Sequence, residues 1–297
     1  MAEKVFFIIN PFSGKGTRSR MDEQIRATCS HQNLESIIGF TDCRGHATEL
    51  ARQAVKDGIG RIFAAGGDGT VNEVAQALIG TPVAMGILPR GSGNGLARHL
   101  RIPLPATRSL QLLNRSEIIA MDTLQVNGQL CVNVAGIGFD AHIASLFGAD
   151  GKRGLASYAR LVLKEFYQFK EFQMDAELDG VAKHHHPFVV ALANSSQFGN
   201  DARIAPHASV CDGLMDVCFI RKVPMTEVVG FTAKLFLGQL GRSRFTEIIN
   251  AKEFKAKLSA PMPYHIDGEP CGMSDTFNVR VNKGSLKVIV PVSTRSV

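Results

Sequence analysis

The sequence predicts a doubly wound α/β domain followed by an antiparallel β-sandwich domain with inserted helices. Three observations carry this. Through the first third, strand-length apolar runs alternate with helical stretches, and most of those runs close on a glycine-rich turn. From about Met121 the chain changes to short alternating segments separated by Asn-Gly, Asp-Gly and Lys-Gly. Strands apolar on both faces that alternate with helices belong to a parallel sheet covered on both sides. Two-residue Asn-Gly and Asp-Gly turns belong to antiparallel hairpins.

The elements follow in order. Val5–Ile9 is the first strand and ends in Asn10-Pro11-Phe12-Ser13-Gly14-Lys15-Gly16, after which a polar helical stretch runs to about His31. Leu34–Thr41 is the second strand. A helix from His46 to Asp57 places Ala47, Leu50, Ala51, Ala54 and Val55 on one face. Arg61–Ala65 is the third strand, followed by Gly66-Gly67-Asp68-Gly69-Thr70 and a helix through Val71, Val74, Ala75 and Leu78. Val83–Leu88 is the fourth, followed by Pro89-Arg90-Gly91-Ser92-Gly93-Asn94-Gly95 and a short helix. Beyond Met121, Leu124–Val126, Asn127-Gly128 and Leu130–Val134 read as a hairpin. Further turns are expected at Asp179-Gly180, Asp212-Gly213, Asp267-Gly268 and Lys283-Gly284, and helices at Leu155–Phe172 and Met225–Leu240.

Composition excludes several classes. Of 297 residues, 45% are hydrophobic and 20% charged, enough for a real core and against disorder. No apolar run is long enough to cross a membrane, and Met1-Ala2-Glu3-Lys4 leads straight into a strand, so a cytoplasmic location is expected. A net charge of +6 permits anionic partners, but no basic tract or aromatic-basic surface points to nucleic acid. Six scattered cysteines without a C-x-x-C pair argue against zinc and a disulfide framework. The triple His184-His185-His186 suits one metal ion poorly, because neighbours on a strand point to opposite faces.

The glycine loops carry the chemistry. Ligands of an open parallel sheet bind beyond the carboxyl ends of its strands, where three of these loops lie. Glycines there let the backbone approach a phosphate, and helix N-terminal amides complement its charge. A P-loop is excluded, since Ile9 stands in place of the first glycine and Gly16 follows Lys15; Leu96 breaks a dinucleotide G-x-G-x-x-G. Asp68, between Gly67 and Gly69, reads either as a tight-turn residue or a cap on the next helix, or as the carboxylate that orients terminal phosphates through magnesium or its waters.

Gly66-Gly67-Asp68-Gly69-Thr70-Val71-Asn72-Glu73 resembles the nucleotide-binding signature of the diacylglycerol kinase catalytic-domain family, which includes sphingosine and ceramide kinases. The resemblance extends through Asn10–Gly16, Leu88–Asn94, Asn133–Asp140 and Asp267-Gly268-Glu269-Pro270. It implies an α/β ATP-binding domain over residues 1–120, to which 285–297 return, and a β-rich lipid-substrate domain over 121–284. It implies ATP contacts from Asn10, Pro11, Phe12, Ser13, Gly14, Thr41, Gly67, Asp68, Gly69, Thr70, Val71, Asn72, Glu73 and Ser92. Glu269 matches the family's proton acceptor, with Asp68 its rival. Asp140 is implied to meet the acceptor lipid, and Asp212 with the carbonyls of Ser209 and Leu214 resembles a family metal site. Asp122 is a further acidic residue near the domain junction. Gly95 departs from the Asp of many bacterial diacylglycerol kinases and brings GSGNGLAR closer to sphingosine kinases.

The implied activity is ATP- and magnesium-dependent phosphorylation of a lipid hydroxyl, on diacylglycerol or a related lipid. A sphingoid-base kinase, an NAD kinase-like phosphotransferase and a non-catalytic lipid or nucleotide sensor are the alternatives. Such an enzyme would touch the inner face of the membrane peripherally, and a homodimer is compatible with it. Val228, Phe231, Leu235 and Phe236 would form an apolar face for the bilayer, flanked by Lys234, Arg242 and Arg244, unless that face packs against the β-domain.

Overall fold

The structure, a computed structural model, describes residues 2–14, 18–149 and 155–292. The chain forms two compact units, Met1–Thr123 with Lys283–Val297, and Leu124–Asn282.

In the first unit, β1 (Glu3–Ile9), β2 (Leu34–Phe40), β3 (Arg61–Gly66) and β4 (Ala84–Pro89) are all parallel, in the order β2-β1-β3-β4. They alternate with α1 (Arg18–His31), α2 (His46–Lys56) and α3 (Asp68–Leu78), and α4 (Gly95–His99) and α5 (Ala106–Ser109) follow. The chain moves from β1 out to β2, then crosses back over β1 to β3. Right-handed crossovers therefore put α1 on one face and α2 and α3 on the other. The direction of winding reverses between β1 and β3, which makes the carboxyl ends of these strands the sheet's switch point. Val5–Ile9 and Ile62–Gly66 are buried, and Phe7 stacks on Phe63 with ring centroids 5.2 Å apart. Each such ring contributes roughly 1.5–3 kcal/mol by leaving water.

The strand β5 (Ser116–Val126) runs from the first unit into the second. There follow β6 (Gln129–Cys131), β7 (Val134–Gly138), α6 (Phe139–Ala149), α7 (Leu155–Gln168), β8 (Met174–Leu178), β9 (Val181–His185), β10 (Val189–Ala193), β11 (Met215–Ile220), α8 (Val228–Phe236), β12 (Thr246–Ala251), β13 (Glu253–Ile266) and β14 (Glu269–Pro291). The antiparallel order is β12-β11-β10-β7-β13-β14, with β8 on β13 and β9 on β8. Register shifts near Met262 and His265 accompany a change of partner, from β8 to β7, along β13. Such irregularities let one strand turn a corner around a core. Asn127-Gly128, Asp179-Gly180 and Asp267-Gly268 all have positive φ at both positions, 47° and 83°, 47° and 86°, 51° and 85°. These are type I′ hairpin turns, as their residues predict.

Several details differ from the sequence reading. Lys283-Gly284 is not a turn but lies inside the 23-residue β14, whose last part returns to the first unit and pairs in parallel with β4 through Lys287 and Val288. Asp122, fully buried, accepts the Gly284 N–H at 2.6 Å. Helix α6 is unforeseen: its mostly apolar sequence lacks a polar face to set a helical period. The predicted helices at 155–172 and 225–240 end at Gln168 and span only Val228–Phe236. Gly238, at φ 67°, stops α8, with Gln239 N–H on the Lys234 carbonyl at 2.8 Å and Gly238 N–H on Leu235.

Candidate functional site

The loops after β1, β3 and β4 are joined to one another. Asn10 folds back on itself: its Oδ1 accepts the Phe12 N–H at 2.9 Å, and its carbonyl accepts the Ser13 hydroxyl at 2.9 Å. Its Nδ2 reaches Thr70 Oγ1 at 3.3 Å. Arg90 Nε donates to the Ser13 carbonyl at 3.2 Å. Thr41, buried, donates its N–H to the carbonyl of Ile9 at 3.0 Å, which sets the end of β2 beside the same loop.

Asp68 is the link between the second and third loops. Its Oδ2 accepts the Asn94 N–H at 3.0 Å and its Oδ1 accepts the Gly95 N–H at 2.9 Å. Asn94 holds φ 51° and ψ 48°, and its side chain accepts from the Gly91 N–H at 2.8 Å and donates to the Gly91 carbonyl at 2.7 Å. Gly91 has no room for a side chain, because a Cβ there would stand 2.6 Å from the Gly67 Cα. Ser92 is exposed at the tip of this loop. Asp68 therefore does not cap the helix that follows it, which it begins, but the helix after the neighbouring loop. His99, at the end of α4, is held neutral: burial, with Arg101 adding, lowers its pKa to about 4.

Glu73, five residues on, performs the same task for a different helix. Its two carboxylate oxygens accept the N–H groups of Gly45 at 2.9 Å and Ala47 at 3.2 Å, and its carbonyl accepts the Thr48 hydroxyl at 2.8 Å. Val71 turns its side chain into the core, and Asn72 accepts from Gln76 at 2.7 Å. Phe12 is 79% exposed, with Pro11 and Gly14 beside it; Lys15 and Gly16 of the opening loop lie outside the described residues. The structure therefore gathers Asn10, Ser13, Gly67, Asp68, Thr70 and Ser92 around connected loops, and uses Glu73 and Val71 to hold the helices behind them.

In the second unit, Asp267 is buried and accepts the N–H groups of Val132, Asn133 and Val134 at 3.0, 2.8 and 3.2 Å, with Cys131 Sγ at 3.2 Å. This capture explains why β6 ends at Cys131 rather than at Val134. Glu269, across the turn, pairs in register with Ile266 and is exposed. Asp140 lies in the first turn of α6, and its Oδ2 is 3.1 Å from His265 Nε2. His265 Nδ1 accepts the Gly268 N–H at 3.3 Å, so the ring proton sits on Nε2 and is donated to Asp140. Gly136 makes room for the pair: a Cβ there would lie 1.9 Å from Asp140 Oδ2 and 2.4 Å from His265 Nε2. Sequence reasoning missed His265; its place at the end of β13, two residues before the Asp267-Gly268 turn, was the available signal.

Asp212 Oδ1 accepts the Leu214 N–H at 3.0 Å, and Ser209 Oγ accepts that of Cys211 at 3.3 Å. One carboxylate with main-chain carbonyls is a donor set for a hard cation. Among the described residues no three His, Cys, Asp or Glu side chains gather to hold a metal.

Residues 4–126 match the family described as the diacylglycerol kinase catalytic domain, and residues 133–290 the YegS C-terminal NAD kinase beta sandwich-like domain. A Pseudomonas fluorescens protein named "Probable lipid kinase YegS-like" is 31% identical over 283 residues, 92% of this chain and 93% of that protein. The chain belongs to the diacylglycerol kinase catalytic-domain family. A Bacillus subtilis diacylglycerol kinase is 28% identical to this family member over 273 residues, 90% of this chain and 89% of that one. A solved diacylglycerol kinase structure from Bacillus anthracis shares the family fold at a TM-score of 0.77 and 19% identity, covering 98% of this chain and 97% of that one. No helix of this kinase-family chain, among the described residues, is long and apolar enough to cross a membrane.

Proposed function

We propose that this chain transfers the γ-phosphate of ATP to a hydroxyl of a lipid, diacylglycerol or a related lipid. The observation that carries the reading is the joining, at the carboxyl end of the parallel sheet, of three glycine-rich loops: the first through Asn10 to Thr70 and Arg90 to Ser13, the second and third through Asp68 and the Asn94 and Gly95 amides. Phosphoryl transfer needs alignment and charge neutralisation more than covalent chemistry, and fixed loop amides supply the alignment. Magnesium, carried with the nucleotide, would neutralise phosphate charge; it keeps several waters and takes one or two carboxylates, a role that suits Asp68 acting through water. Asn10, Ser13, Gly14, Thr70 and Ser92 would bind the nucleotide.

Glu269 is the proposed proton acceptor, an exposed carboxylate held at the second strand of a type I′ hairpin whose turn residue Asp267 is buried and fixed. Asp140 would meet the acceptor lipid. Approach to the bilayer is proposed for the surface around α8, with a changed set of residues. Phe231 and Leu235 pack against the β-domain core, while Met225, Val229, Phe236 and Leu237 are exposed, at 40%, 81%, 48% and 67%. Lys234 and Arg242 lie on the same stretch.

Gly95 favours a second reading, a sphingoid base as acceptor. The test is transfer from γ-labelled ATP to a panel of diacylglycerols, monoacylglycerols, sphingoid bases, ceramides and prenols, with NAD included. Label on a lipid, dependent on magnesium, is expected. Label on NAD alone, or on no acceptor, would overturn the proposal.

A further inference from the structure

We infer that His184 and His186 form a surface site for a borderline divalent transition-metal ion, zinc or copper(II), at the end of strand β9. The strand places alternate residues on opposite faces. His185 is accordingly buried and stacked on Phe219 at 3.8 Å, while His184 and His186 are both exposed on the other side. The alternation that disfavours three adjacent histidines as one ligand set therefore selects the outer two.

Their separation suits a chelating pair, once each ring turns its Nε2 from the other nitrogen toward a shared ion. The two Nε2 atoms are 3.1 Å apart and the rings stand at 79° to one another. With metal–nitrogen bonds of about 2.05 Å, that 3.1 Å separation subtends an angle of about 98° at the ion, between the octahedral and tetrahedral values. The next requirement is a partner that fixes the ligand tautomer, and one is present. Asp175, opposite His184 on β8, lies 2.6 Å from His184 Nδ1. An ionised carboxylate only accepts, so the His184 proton is on Nδ1 and its Nε2 carries the lone pair. A carboxylate behind a metal-bound histidine is a recurrent arrangement that orients the ring and raises its basicity.

Without metal, His186 Nε2–H donates to His184 Nε2. When the ion binds, that proton moves through solvent to His186 Nδ1, and both Nε2 lone pairs coordinate. No proton is lost overall, and water completes the coordination shell. Imidazole nitrogens suit zinc and copper better than magnesium or calcium. Strand β9 pairs only with β8 among the described strands, so an ion here would clip the end of a sheet edge.

The test uses the full chain without an affinity tag, carrying Cys43→Ser and Cys211→Ser so that the two exposed thiols do not compete. Calorimetric titration with zinc should give one ion per chain and a raised melting temperature. His184→Asn and His186→Asn should each weaken binding at least about tenfold and abolish the thermal shift, while His31→Asn changes neither. Asp175→Asn should weaken binding by about 10-fold or more. Copper(II) bound to the parent should show electron-spin coupling to two imidazole nitrogens, and to one in either histidine variant. No stoichiometric binding, binding that survives both histidine substitutions, or a copper signal without two nitrogens would overturn the inference.

Discussion

Asp68 Oδ1 accepts the main-chain N–H of Gly95 at 2.9 Å, so the first residue of helix α3 holds the first residue of helix α4. The companion bond from Asn94 to Oδ2 makes the carboxylate a two-pronged clamp between consecutive strand-end loops. Glu73 clamps the start of α2 in the same way, and Asp267 the 132–134 segment in the second unit. The acidic motif residues thus shape the loops that the proposed chemistry needs.

Asp68→Asn is expected to lose both stability and activity. A carboxamide offers one acceptor oxygen to two N–H groups and turns its NH₂ toward the other. Unfolding free energy should fall by about 1–3 kcal/mol, the range for a charge-assisted bond left unmade. Phosphoryl transfer should fall by about 10²-fold or more. Urea denaturation and the labelled-ATP assay measure the two. Full activity in a destabilised variant would reduce Asp68 to a clamp.

Glu269→Gln separates the base from the clamp. The side chain is exposed, so the melting temperature should hold. Loss of the proton acceptor should lower kcat by about 10²–10⁴-fold with ATP affinity unchanged. Steady-state kinetics with calorimetry decides it, and an unchanged kcat would remove Glu269 from the chemistry.

Much of this arrangement was legible in the sequence. Apolar runs followed by glycine turns gave β1, β3 and β4, and Asn127-Gly128, Asp179-Gly180 and Asp267-Gly268 gave three hairpins, because those residues tolerate the φ values the turns demand. Asp68 was legible as a phosphate-orienting residue or a cap on the helix that follows it, but the helix it caps is α4. That depends on a bond to residues 26 and 27 positions away. The pairing of Asp140 with His265, 125 residues apart, was hidden for the same reason. Helix α6 escaped because its sequence is apolar nearly all round and so shows no helical period.

His265→Asn should act on the lipid half of the reaction. It removes the Nε2–H that fixes Asp140 and leaves the first unit's loops untouched. We expect kcat with lipid to fall about tenfold while calorimetric ATP affinity stays the same. Rescue by His265→Gln, which can present an N–H to Asp140, would support positioning. Equal loss in ATP binding would contradict it.

Acid should loosen the first unit through His99. Its folded pKa, about 4, lies below the ordinary 6.5. Between these values the unfolded chain binds more protons, so the contribution is full above about pH 6.5 and is lost as pH falls toward 4. The size is on the order of 3 kcal/mol. Urea midpoints from pH 7 to pH 4 should fall less steeply in His99→Gln than in wild type. Parallel curves would remove His99 as the cause.

The account rests on the joined glycine loops being a nucleotide site, and a calorimetric titration of ATP with magnesium into wild type and Gly91→Ala tests that most directly. A Cβ at Gly91 would press on Gly67 and part the loops. One ATP per wild-type chain, bound at least about tenfold more weakly by the folded variant, is the predicted result. Absence of binding in wild type, or equal affinity in the two proteins, would contradict it.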